Sequence, residues 1–253
     1  MLKIILCGCC GRMGKAITEL VARTEGVEIA AGIDPVGAEG LAYPVFSDIS
    51  LCNVTADVVV DFSHRSALTA ILAYCTGNGT PAVLASTGYL PEDVEAVNAA
   101  ASRVPLFRSA NMSIGIAILT RLVRDAAKLL GDDFDVEIIE RHHNKKLDAP
   151  SGTALHLAEA VKEGAHSPKN EVYDRHAVRR ERGKSEIGMH AVRGGTIIGE
   201  HEVLFAGWNE TVSIAHSAQS REVFASGAVR AAAFMAGVKA PGLYGMDDIF
   251  AGE

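Results

Sequence analysis

The feature that most constrains this chain is its first 34 residues. Lys3-Ile4-Ile5-Leu6-Cys7 reads as a buried strand, glycines follow at positions 8, 11 and 14, and an apolar stripe of Met13, Ala16, Ile17, Leu20, Val21 and Thr24 then recurs at helical spacing. Gly26 closes the helix, Val27 to Ile33 forms a second strand, and Asp34-Pro35 ends it. A strand, a glycine turn, a helix and a parallel strand make one βαβ unit. The turn Gly8-Cys9-Cys10-Gly11-Arg12-Met13-Gly14 stands where backbone amides and a helix N-terminus can cradle phosphates. Cys10 occupies the middle glycine position of G-x-G-x-x-G, and a small side chain is compatible with that turn. Asp34 lies about 20 residues past the loop, the spacing of an acid that accepts hydrogen bonds from ribose hydroxyls. The pattern points to a dinucleotide. A carboxylate at 34 followed by Pro35 rather than Arg repels a 2′-phosphate, so NADH is expected to serve at least as well as NADPH.

The alternation continues. Asp57–Phe62, Pro81–Leu84 and Val104–Phe107 read as strands, with helices over Ser66–Cys75 and Pro91–Ala101. This predicts an α/β fold with a Rossmann-type doubly wound parallel sheet. Near residue 113 the pattern changes. A long helix (Ser113–Leu130) precedes a strand (Val136–Arg141), a polar stretch (His142–Asp148) and a helix (Ser151–Glu163). Residues 164–184 read as loop, and Ile187–Val192, Thr196–Phe205 and Thr211–Ala215 read as strands with no helix between them. A second α+β domain with a mixed, largely open sheet is therefore expected. The final helix, Arg221–Val238, can return to the first domain. The predicted domains are 1–113 with 222–253 (dinucleotide binding) and 114–221 (substrate binding and oligomerisation).

Composition bounds what the chain can do. Among its 253 residues, 24 Lys and Arg against 31 Asp and Glu leave a formal charge of −7, which argues against a general nucleic-acid or membrane-surface binder. No apolar run approaches the ~20 residues of a membrane span, and the N-terminal stretch Met1–Leu6 reads as a buried strand rather than a secretion signal. Five cysteines, three of them at positions 7, 9 and 10, make a poor disulfide framework and point to a reducing cytoplasm. No metal is expected, since no second Cys/His pair stands at zinc-ligand spacing. Cys9 and Cys10 default to small loop fillers, although a helix N-terminus can lower a thiol pKa. Arg175, Arg179, Arg180, Arg182 and Lys184 form a basic cluster that reads as a solvated loop. Trp208 sits in a turn between strands, at an exposed hairpin tip or against another subunit.

The second chemical feature is the run Glu140-Arg141-His142-His143-Asn144-Lys145-Lys146-Leu147-Asp148-Ala149-Pro150-Ser151-Gly152-Thr153-Ala154. Histidine is a proton donor near neutral pH and lysine a compact positive charge. Ser151-Gly152-Thr153 opens a helix, where amides and hydroxyls suit an anion. The combination suits a small carboxylated substrate that is protonated as it is reduced. The structural alternative is a polar loop whose Ser151 caps the helix.

With Ser109–Gly115, Val192–Gly195, Gly199–Val203 and Pro241–Tyr244, this run resembles the 4-hydroxy-tetrahydrodipicolinate (dihydrodipicolinate) reductase family of bacterial lysine and diaminopimelate biosynthesis, almost end to end. The resemblance implies hydride transfer from NADH or NADPH to a cyclic, imine-containing dicarboxylate, in a homotetramer built through the second domain's sheet. It implies His142 as proton donor/acceptor and Lys146 as proton donor, the two roles remaining to be apportioned. It implies that His143, Gly152 and Thr153, together with Ser151, bind substrate. It also implies that the cofactor touches Gly8, Cys9, Cys10, Gly11, Arg12, Met13, Asp34, Ala85, Ser86, Thr87, Ser109, Ala110, Asn111 and Met112. Two departures stand out: the family's Gly-Thr-Thr-Gly turn reads Ala85-Ser86-Thr87-Gly88, and Pro35 replaces the Arg of some relatives. A dehydrogenase of a related amino or oxo acid, and an NADH sensor without turnover, are the rival readings. The intact His142-His143-Lys146 and Ser151-Gly152-Thr153 favour the reductase over the first rival, and a sensor has no need of this loop.

Overall fold

The computed structural model describes residues 1–37 and 40–250. Residues 251–253, the end of the predicted first domain, lie outside them. The chain divides into two compact units, Met1–Ile114 with Arg221–Glu253, and Gly115–Ser220.

The first unit runs β1 (Leu2–Cys7), α1 (Arg12–Val21), β2 (Val27–Ile33), β3 (Val45–Phe46), β4 (Val58–Asp61), α2 (Leu68–Asn78), β5 (Ala82–Leu84), α3 (Pro91–Ala101) and β6 (Pro105–Arg108). The second unit carries α4 (Ile114–Leu130), β7 (Asp135–His142), α5 (Gly152–Gly164), β8 (Asn170–Val172), β9 (Glu186–Arg193), β10 (Glu200–Ala206) and β11 (Thr211–Ser217). The chain then returns to the first unit with α6 (Glu222–Gly237) and β12 (Gly242–Tyr244).

The first sheet has the order β12-β6-β5-β4-β1-β2-β3, and every pair is parallel. Parallel strands are buried on both faces, and so the central ones are continuous apolar runs. Ile4, Leu6, Val58, Val60, Val83 and Phe107 pack on one face under Ile17 of α1 and Ala228, Ala231 and Ala232 of α6. Ile5, Val59, Ala82, Leu84 and Leu106 pack on the other under Leu68, Ile71 and Leu72 of α2 and Val97 of α3. Helices on both faces make the sheet doubly wound, as its strand–helix alternation predicts.

The second sheet, β11-β10-β7-β9-β8, is mixed: β10 is antiparallel to β7 and β11, while β9 is parallel to β7 and β8. One face is covered. Val136, Ile138, Ile187, Val203 and Phe205 bury against Ile116, Leu119 and Val123 of α4 and Leu157, Ala158 and Val161 of α5.

The structure departs from the sequence reading at the edges. β3, β8 and β12 were not anticipated; at two or three residues each, they are too short to show a period. The strand expected from Thr196 starts at Glu200, and α1 ends at Val21, before Thr24. His142 closes β7 instead of opening the polar stretch. The basic cluster is mostly paired internally. Arg175 and Arg180 meet the buried Glu186, Arg182 meets Glu137 and Asp135 at 3.0 and 2.9 Å, and Lys184 lies 3.9 Å from Asp135. Trp208 is 90% exposed between β10 and β11. No helix among the described residues is long and apolar enough to cross a membrane.

Leu157, fully buried in the second unit, tests this packing. Leu157→Ala is expected to cost about 2–5 kcal/mol, read as a lower urea midpoint with the denaturant slope unchanged.

Candidate functional site

The glycine turn follows from two close approaches. Gly8 has φ +77°, and a Cβ there would lie 2.7 Å from the Phe62 carbonyl oxygen. A Cβ on Gly14 would lie 2.2 Å from the Gly8 oxygen, so the first turn of α1 packs directly on the loop. The N-cap of α1 is Gly11, with no side-chain cap and no acid in the first turn. The helix therefore meets its N-terminal end without an internal anion. Gly11 and Arg12 are exposed there, while Met13 is half-buried.

Asp34, buried at the end of β2, ties the loop down. One of its oxygens accepts from the Cys10 amide at 3.0 Å and the other from the Val36 amide at 3.1 Å. A carboxylate has about four acceptor positions, so capacity remains for ribose hydroxyls. Cys9 is buried against Gly32 of β2. Burial, helped by the neighbouring Cys10 and Asp34, pushes the Cys9 thiol up to about 12. A buried thiol raised by desolvation is inert, as the loop-filler reading of Cys9 expects. The Cys9 and Cys10 sulfurs, 3.8 Å apart, and an Asp34 oxygen lie within 4.8 Å of one another.

Two further loops of this unit carry predicted residues. Asp61, buried at the end of β4, accepts from the Ser63 amide at 2.9 Å and from the Ser86 hydroxyl at 2.8 Å. Burial raises its pKa against these bonds. Ser86 thus spends its hydroxyl within the protein, while Thr87 and Gly88 are exposed. Ala85 is not among the positive-φ residues, whereas Gly88 sits at φ +79°, so the methyl at 85 costs the turn nothing in backbone strain. In the other loop, Ser109 accepts from the Asn111 amide at 3.2 Å, Ala110 is exposed and Met112 is buried.

The second unit holds the other predicted residues. Strand alternation along β7 buries Val136, Ile138, Glu140 and His142 on one face. Apolar packing thus carries a carboxylate and an imidazole inward, and Glu140 is 1% exposed at its side chain. His142 Nδ1 lies 2.5 Å from Glu140 Oε2. Arg193, paired with His142 across β7 and β9, grips both Glu140 oxygens at 2.7 Å. The Ser151 amide donates to Glu140 Oε1 at 3.0 Å. The Ser151 hydroxyl accepts from the Ala154 amide, capping α5 as the structural alternative expects, and pairs with His201 Nε2 at 3.0 Å. Gly152 is exposed and Thr153 half-buried in the first turn of α5. The Lys146 ammonium is 2.9 Å from Asp148. The half-exposed His143 carries a buried Nδ1 without a hydrogen-bond partner among the described residues.

The electrostatics follow from burial. Burial pushes the Glu140 carboxyl up, but hydrogen bonds from Arg193 and His142 outweigh it, and the group stays below the usual range. Burial pulls His142 below its ordinary value, against the opposing pull of Glu140. His201, opposite Glu140 on β10, is pulled to about 4 by burial and by the nearby His142. Glu140, Arg193 and His201 were not singled out from the sequence as functional. The signal for Glu140 was present in the Val136-x-Ile138-x-Glu140-x-His142 alternation, which assigns the carboxylate to the inner face.

Residues 2–112 match the family described as dihydrodipicolinate reductase, N-terminus, and residues 115–250 match dihydrodipicolinate reductase, C-terminus. The chain is 48% identical over 249 residues to the 4-hydroxy-tetrahydrodipicolinate reductase of Clostridium novyi (strain NT), covering 98% of both chains. It is 47% identical over 249 residues to that of Caldanaerobacter subterraneus subsp. tengcongensis, again with 98% of both covered. The structure of a dipicolinate-bound dihydrodipicolinate reductase from Paenisporosarcina sp. TG-14 superposes with a TM-score of 0.82 at 26% identity, covering 98% of this chain and 99% of that one.

The shift of His201 has a thermodynamic consequence. Its folded-state pKa lies below its unfolded value of about 6.5, so between these values the unfolded chain binds the extra proton. Stability is expected to rise with pH across that window and to fall by about 3 kcal/mol as pH drops through it. His201→Gln should flatten the slope of Tm against pH between pH ~4.5 and ~6.5.

Proposed function

The chain belongs to the dihydrodipicolinate reductase family, and we propose that it reduces 4-hydroxy-tetrahydrodipicolinate to tetrahydrodipicolinate, with loss of water, in lysine and diaminopimelate biosynthesis. The observation that supports this reading best is the His142 imidazole, held at Nδ1 by a buried carboxylate in the same segment as Lys146 and the first turn of α5. On this reading Met1–Ile114 with Arg221–Glu253 is the dinucleotide-binding unit and Gly115–Ser220 the substrate-binding and oligomerisation unit of a cytoplasmic homotetramer. The five free cysteines and the acidic charge agree with such a setting.

The residues present fit a nicotinamide dinucleotide. The uncapped N-terminus of α1, with Gly8 and Gly14 admitting close backbone approach, would receive the pyrophosphate at Gly8, Cys9, Cys10, Gly11, Arg12 and Met13. Asp34 would take the ribose hydroxyls. Ala85, Ser86 and Thr87, with Ser109, Ala110, Asn111 and Met112, would border the nicotinamide end. The bound reduced cofactor supplies the hydride. Asp34 followed by Pro35 offers a 2′-phosphate no cation in its own turn, and NADH serves at least as well as NADPH.

The substrate side needs charge neutralisation and a proton. Lys146, the half-exposed His143 and the α5 turn at Gly152 and Thr153 hold the two carboxylates and orient the ring. Ser151, with its amide and hydroxyl engaged inside the protein, sets the position of that turn. Hydride addition to the conjugated C=N system leaves negative charge to be quenched. His142 in its imidazolium form delivers the proton from Nε2, and Lys146 supplies fixed positive charge beside it. One hydride and one proton are consumed, and water leaves with the 4-hydroxyl.

A coupled assay tests the assignment. A dihydrodipicolinate synthase would generate the labile substrate in place from pyruvate and aspartate semialdehyde, with loss of reduced-nicotinamide absorbance as the readout. Oxidation dependent on both precursors is expected with NADH and NADPH; folded protein that binds NADH yet oxidises neither would overturn the assignment. His142→Ala should lower kcat by about 10²–10⁴-fold at unchanged dinucleotide affinity. Lys146→Ala should act first on substrate KM, and the reverse pattern would exchange the two roles. Asp34→Ala should weaken NADH by roughly tenfold, about 1.4 kcal/mol, and NADPH by less.

A further inference from the structure

Glu140 is engaged on every side by donors. Arg193 Nη1 and Nη2 reach its two oxygens at 2.7 Å each, the Ser151 amide reaches Oε1 at 3.0 Å, and His142 Nδ1 reaches Oε2 at 2.5 Å. These donors come from the end of β9, the N-cap of α5 and β7 itself. Arg193 also donates to the Asp148 carbonyl at 2.6 Å, in the loop that carries Lys146. One buried carboxylate therefore joins the three segments that bear the proposed proton donor, the carboxylate-binding lysine and the anion-binding helix turn.

We propose that Glu140 is a positioning residue for the reduction: its carboxylate holds His142 in the Nδ1–H tautomer and sustains the imidazolium, so that Nε2 alone presents the transferable proton. This rests on the function proposed above and deepens it. The two Arg193 N–H groups and the Ser151 amide hold Glu140 as a carboxylate, which has no proton to give, so the hydrogen shared with His142 belongs to Nδ1. The opposite ring nitrogen faces Gly199. A Cβ on Gly199 would lie 3.1 Å from His142 Nε2, closer than ordinary packing allows, and glycine is the residue that keeps this approach uncrowded. The geometry is that of an orienting third group behind an acid–base histidine.

The charges around His142 set the direction of the effect. Burial and the cations Lys146 and Arg193 oppose its protonation, and Glu140 favours it. His201 of β10 packs edge-on with ring centroids 5.1 Å apart and is itself uncharged near neutral pH, at about 4. Glu140 is thus the group that favours the imidazolium against the rest. Removing its charge lowers the pKa of His142, and proton delivery then fails at lower pH.

The test is a cycle of Glu140→Gln, His142→Ala and the double variant, with kcat, both KM values and pH profiles measured in the coupled assay. Glu140→Gln is expected to lower kcat on the order of tenfold to a hundredfold, to leave the dinucleotide KM unchanged and to move the alkaline limb of the kcat profile to lower pH. In the His142→Ala background it should add no further loss. Wild-type kcat with an unmoved limb, or an equal additional loss on top of His142→Ala, would overturn the proposal. Nitrogen NMR of the wild-type histidines gives a readout that survives misfolding of the variant: His142 should carry its neutral-form proton on Nδ1, and an Nε2–H tautomer would overturn the assignment. A wild-type protein without turnover would sink the function while leaving that NMR result to stand or fall separately.

Discussion

The buried ion pair between Glu140 and Arg193 is the constraint on which the second unit's chemistry depends. A carboxylate 1% exposed is tolerated only when its lone pairs are satisfied and its charge is matched. Arg193 does both with a two-pronged grip, and the Ser151 amide and His142 fill the remaining acceptor positions. Such an arrangement contributes little to net stability relative to an apolar core, but removing one partner leaves a buried charge unpaired. Its value is geometric. It locks one ring nitrogen of His142, sets the entry of the chain into α5 and reaches the loop carrying Lys146 through the Asp148 carbonyl.

The first unit meets the opposite demand. It must present an unsatisfied electrostatic surface, and it does so with a helix whose N-terminus has neither a capping side chain nor an acid in its first turn. The carboxylate that stands nearby, Asp34, points its oxygens at the Cys10 and Val36 amides and so braces the loop. Asp61 does similar work at the next loop, joining Ser63 and Ser86. In both places a buried carboxylate at the end of a parallel strand orders the loop that follows. This is the end of the strands where open α/β sheets take their ligands.

Most of the architecture was legible in the chain. The apolar runs of β1, β4 and β5 and the amphipathic α1 have periods that admit one reading, and the break near residue 113 was visible as a change from strand–helix alternation to successive strands. Short edge strands such as β8 and β12 were not legible, because they exist through pairing with a neighbour and not through a pattern of their own. The depth of the Cys9 thiol was not legible for a related reason: a helix N-terminus can be seen in sequence, whereas how closely a side chain lies against Gly32 cannot.

The sequence by itself determined the glycine turn, the acid that follows it at position 34 and the histidine–lysine run. These are local matters of spacing and backbone permission, and residue identity alone decides them. It also carried the family, because the run from Glu140 to Ala154 keeps its specific residues in order. Only the tertiary structure decided which of these groups act together. Arg193 and His201 are 53 and 61 positions from Glu140 in the chain, and they reach it because β9 and β10 flank β7 in the sheet. Sheet register is a long-range choice made by burying Val136, Ile138, Val203 and Phe205 together, and the polar groups at the strand ends are brought into contact by that apolar packing.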